Sequence, residues 1–104
     1  MEVRTRIATY LVRIGRADGS RQEDWDVAQV AYLTARHLLK KHLPNPDFPE
    51  ELTMAIHAAS EDLRHCSALL HDWPTTQAQA ERVLPVVLRV LEQLKELRGS
   101  PGVR

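Results

Sequence analysis

Arg64 and His71 stand two helical turns apart, ~10 Å along an α-helical axis, and His57 and Glu61 fall on the same face at i−7 and i−3 from Arg64. Arginine and histidine are the side chains on which anion binding and proton transfer commonly draw. The plainer reading is a solvated stripe with a Glu61–Arg64 pair at i, i+3. His37 and His42 are spaced to opposite sides of a helix. No pair among the five histidines has the i, i+4 spacing of a helical zinc motif, so neither a metal nor a cofactor is expected. Cys66 sits on an apolar seam and reads as a small core residue rather than a nucleophile. Asp18-Gly19-Ser20 with Glu23 is too short for a calcium loop. Arg6, Arg13 and Arg16 share a face with Thr9 and form a basic patch, and the stretch 27–46 holds Arg36, Lys40 and Lys41 with no acid. No aromatic interleaves these residues, so the patch reads as a solvated face and nucleic acid is not the favoured partner.

The run Leu63-Arg64-His65-Cys66-Ser67-Ala68-Leu69-Leu70-His71-Asp72-Trp73 resembles the signature of HEPN-domain proteins. In that family an Arg precedes a His by a few positions late in a small helical bundle, and an aromatic follows. The family includes metal-independent ribonuclease toxins and partners of minimal nucleotidyltransferases. The resemblance extends loosely over residues 5–97, with His65 where the family favours Asn or Asp. It implies that Arg64 binds the scissile phosphate, that His71 serves as acid or base, and that dimerisation brings two such pairs together. This is the alternative reading.

Four segments of helical periodicity must position these residues. Val3, Ile7, Tyr10, Leu11 and Ile14 make one stripe, predicting a helix over about 2–14 with Gly15 as its stop. Ser20-Arg21-Gln22-Glu23 has the pattern of a capping box for a helix over about 21–43, ended by Pro44 and Pro46. Asp47-Phe48-Pro49-Glu50 opens a third helix, about 48–72. Its seam Leu52, Ile56, Ala59, Leu63, Cys66, Leu70, Trp73 keeps a strict 4-3 spacing. Thr76 and Gln79 are spaced as a further capping box for a fourth helix, about 76–98, with a kink or break expected near Pro85. No segment alternates as a strand does. The expected fold is all-α, a small antiparallel four-helix bundle forming one domain over 1–98, followed by a disordered tail at 99–104.

The chain has 104 residues, of which 43% are hydrophobic, and its 14 basic and 14 acidic side chains balance. That size suits a single globular domain. The longest uncharged stretches, Val27–Ala35 and Leu52–Ser60, fall far short of the ~18 apolar residues of a membrane span. The opening Met-Glu-Val-Arg-Thr-Arg-Ile has no apolar core of a secretory leader, and one cysteine forms no internal disulfide, so a cytoplasmic setting is expected. The stripes of the second and fourth helices are wider than one shared core needs. That surplus predicts a homodimer with Trp25, Tyr32, Leu88 and Leu91 at its interface, and a possible further protein partner. With no convincing catalytic set, the expected function is a dimeric protein-interaction module.

Overall fold

The computed structural model describes residues 3–64 and 72–99. Four helices account for most of them: α1 (Val3–Arg16), α2 (Gln22–Lys41), α3 (Glu50–Leu63) and α4 (Trp73–Gly99). Among the described residues there is no strand. The chain is all-α, and its helices pack as a four-helix bundle.

The order round the bundle is the order along the chain. α1 lies on α2 and α4, α3 lies on the same two helices from the other side, and α2 meets α4 only sparsely across the middle. Named contacts fix the directions. Arg13 near the end of α1 meets Glu23 near the start of α2. Gln77 at the start of α4 reaches Ile14 near the end of α1. Arg82 and Arg89 of α4 meet Asp62 and Glu51 of α3. Neighbouring helices therefore run antiparallel, as the short connections demand.

The core follows the predicted stripes. α1 buries Ile7, Leu11 and Ile14, and α3 buries Leu52, Ile56, Ala59 and Leu63. From α4 come Trp73, Ala80, Val83, Val87 and Val90. α2 contributes Leu38 and Leu39 with three small residues, Ala28, Ala31 and Ala35. Small side chains on the central stripe let the adjoining helices come close, and close packing is where dispersion attraction is gained.

Local chemistry at the helix ends departs from the sequence expectation. Gly15 stays inside α1, and Gly19, at φ +74°, is where the backbone turns left-handed. The capping box at Ser20 does not form. Ser20 donates from its backbone N and its Oγ to Asp18 Oδ1 (2.9 and 2.6 Å), while Glu23 is held by Arg13. Arg21 becomes the N-cap of α2 without a side-chain bond. Pro49 is the N-cap of α3, again without one, and its carbonyl accepts from Leu52 and Thr53. α4 begins three residues before Thr76. Asp72 caps it, accepting from the Thr75 hydroxyl (2.6 Å) and facing the Thr75 amide, and Pro74 falls in the first turn, where a missing N–H is harmless. Thr76 is therefore inside the helix. α4 passes through Pro85 without a break. The loop between α2 and α3 carries a cis Leu43–Pro44 bond and a stack of His42 on Phe48 at 5.4 Å. Cys66, Leu70 and most of the segment expected to complete the third helix lie outside the described residues, as do residues 100–104 of the expected tail, whose first residue, Gly99, instead belongs to α4.

Candidate functional site

Of the alternative catalytic pair, Arg64 is described and His71 lies outside the described residues. Arg64 closes α3 as its C-cap residue, is exposed, and donates from Nη1 to Glu61 Oε2 at 2.7 Å. This is the predicted i, i+3 pair. Its Coulomb gain is small because both partners are well solvated. His57, one helical turn before Glu61, is also exposed.

Two arginines of the expected basic patch, Arg13 and Arg16, lie among acidic side chains. Arg6, Arg13 and Arg16 are all exposed on α1. Arg13 donates from Nη2 to Glu23 Oε1 at 3.1 Å. Arg13 and Arg16 line an open depression of about 410 Å³ together with Arg21, but Asp18, Glu23 and Asp24 line it too. Three cations facing three anions do not make the one-signed surface that attracts a polyanion. The hydrogen bonds from the Ser20 side chain and backbone hold the Asp18 carboxyl below its ordinary pKa, so the negative charge persists at this rim.

The four residues expected at an interface part company. Tyr32 is 1% exposed, and its hydroxyl donates to the Thr76 carbonyl across the bundle. It belongs to the chain's own core and is not offered to a partner. Trp25 is half-buried because its ring meets Trp73 edge-on at 4.9 Å, and its Nε1 donates to the Gly19 carbonyl at 3.0 Å. Leu91 is half-buried against the core, and Leu88 is 47% exposed. The sequence pointed to these four residues through the width of the second and fourth stripes. It had no means of seeing that the two tryptophans meet each other.

Among the described residues, the exposed large apolar side chains are Val30 (49%), Leu33 (53%), Met54 (66%) and Leu88. Val30 and Leu33 share the outer face of α2, one turn apart. The signal was present in the sequence, since these two residues extended the α2 stripe beyond the width that one core can cover.

The most elaborate polar arrangement is structural. Trp73 Nε1 donates to the Ala17 carbonyl at 3.1 Å. Gln77 Nε2 donates to the carbonyls of Ala17 and Ile14. Carbonyls at the end of a helix lack intrahelical partners, and here α4 supplies donors for those at the end of α1. The void beside this clamp, lined by Ile14, Val27 and Trp73 among others, has about 10 Å³, room for a single water at most. Gln79 is buried on α4 with no partner for its Oε1 among the described residues.

Among the described residues, no three His, Cys, Asp or Glu side chains come together as metal ligands would. Nor is any described helix long and apolar enough to cross a membrane. Compared with protein-family models, with curated proteins and with solved structures, the chain matches none of them.

Proposed function

We propose that this chain is a small dimeric helical-bundle interaction module, cytoplasmic in setting and without catalytic activity of its own. The observation that carries the reading is the pair Val30 and Leu33, two large aliphatic side chains about half exposed on the outer face of α2, away from its buried stripe. Water contact with such a pair is unfavourable, and association removes it. The polar groups support the same reading from the other side. Arg64 is engaged by Glu61, Arg13 by Glu23, and the tryptophan N–H groups by backbone carbonyls. The lone cysteine agrees with a reducing compartment.

Light scattering tests the dimer directly: the expected mass is twice the 11.9 kDa of one chain, and a mass that stays at one chain over all concentrations overturns it. The ribonuclease-like alternative has its own test. RNA incubated with the protein is expected to stay intact, and Arg64→Ala and His71→Ala to change nothing. Cleavage that disappears in either variant would replace the interaction reading with the catalytic one.

A further inference from the structure

α2 carries two stripes. The inner one runs through Ala28, Ala31, Tyr32, Ala35 and Leu39, all buried. The outer one runs through Glu23, Asp26, Val30, Leu33, His37 and Lys40, all exposed. The spacing of the outer stripe is 3-4-3-4-3, the repeat with which one helix seats against another. Its composition has an inversion. About the midpoint between Ala31 and Tyr32, Val30 mirrors Leu33, Asp26 mirrors His37, and Glu23 mirrors Lys40. Each acid on the N-terminal half has a basic or imidazole counterpart at the same distance on the C-terminal half. A stripe of that kind is complementary to a reversed copy of itself, and a two-fold axis supplies the reversal.

We propose that the outer stripe of α2 is the contact between two copies of this chain, packed antiparallel about a two-fold axis level with Ala31 and Tyr32. The proposal rests on the dimer reading above and assigns its interface. In this pairing Val30 lies against the partner's Leu33 and Leu33 against the partner's Val30, forming an apolar centre. Asp26 faces the partner's His37, and Glu23 faces the partner's Lys40, forming a charged rim on each side. A parallel pairing sets Glu23 against Glu23 and Lys40 against Lys40, so charge selects the antiparallel one. Glu23 also accepts from Arg13 of its own chain. A carboxylate has room for a second cation on its other oxygen. Among the described residues, the other exposed large apolar side chains, Met54 and Leu88, stand apart on α3 and α4, as scattered surface residues commonly do.

Sedimentation equilibrium on the full chain and three variants separates the possibilities. All substituted residues are exposed, and circular dichroism checks that each variant keeps its helix content. Leu33→Asp puts a charge in the apolar centre and is expected to leave monomers. Glu23→Lys and Lys40→Glu each create like-charge pairs twice per dimer and are expected to weaken self-association by about tenfold or more. Mixed in equal amounts, these two variants restore opposite charges at both rims, so a heterodimer of wild-type strength is expected. A wild-type chain that remains monomeric at hundreds of micromolar overturns the dimer reading and this assignment together. A dimer that ignores Leu33→Asp overturns the α2 assignment alone. Loss of association in both charge variants, without recovery on mixing, overturns the antiparallel register.

Discussion

Gly19 shows how much of the bundle's first corner depends on one residue. Its φ of +74° suits glycine, and a Cβ built there would lie 2.3 Å from Trp73 Cγ. The missing side chain is what lets the Trp73 ring close over the turn, with Trp25 set edge-on against it and bonded to the Gly19 carbonyl. Gly19→Ala therefore meets two penalties, left-handed strain of ~1–2 kcal/mol and a clash with a ring that packing holds in place. The expected loss is about 2–4 kcal/mol in urea unfolding, with tryptophan fluorescence altered in the folded baseline. The sequence made Asp18-Gly19 legible as a turn, since both residue types tolerate that backbone. It did not reveal that Trp73 lies against the turn, because a contact across more than fifty residues leaves no local periodicity. The failed capping box has a similar cause. Ser20 can accept from the start of α2 or donate to Asp18, and the two uses look identical in a string of letters.

Among the elements, α4 contains the least expected geometry. Pro85 lies in its interior and the helix continues. A proline there lacks an amide for the carbonyl of Glu81 and crowds it. Both residues are exposed, and the core stripe of Val83, Val87 and Val90 lies on the other side. The cost is thus confined to the solvated edge, where helices that wrap a core already lengthen their hydrogen bonds. Pro85→Ala is expected to raise stability by about 1–3 kcal/mol, read as a rise in Tm with unchanged helix content. A fall in Tm means that the proline sets a curvature the core requires. The sequence identified the apolar stripe of this helix and its proline. It misjudged the start, because Asp72-Trp73-Pro74 has the composition of a turn and is also a legitimate helix opening. The seam of α3 was plain at Leu52, Ile56, Ala59 and Leu63 since its spacing admits a single period.

Across the whole molecule, buried and exposed apolar side chains are divided between the two sides of α2. Leu39 is fully buried and Leu33, less than two turns earlier, is half exposed. Leu39→Ala is expected to cost ~2–5 kcal/mol by removing packed methyl groups and leaving a cavity, measured by chemical denaturation at a concentration where the chain is monomeric. Under the same conditions Leu33→Ala is expected to stay within about 0.5 kcal/mol of the parent chain. Equal effects at the two sites mean that α2 sits differently in the bundle. The bundle was legible in the sequence at this scale because four apolar stripes and three short connectors permit few arrangements. The outward apolar face was legible only as an excess of stripe width. Which residues form that excess depends on how helices rotate against one another, and Tyr32 turned inward while Val30 and Leu33 turned out.

The close packing of α1 on α4 has a consequence for synthesis. Ile7, Leu11 and Ile14 emerge from a ribosome well before Val83, Val87 and Val90 have been translated. At ordinary elongation rates the delay is on the order of several seconds. Through that interval the first helix has only the second to shelter its oily flank. A nascent chain stalled before residue 80 therefore leaves that flank without the helix that covers it in the finished bundle.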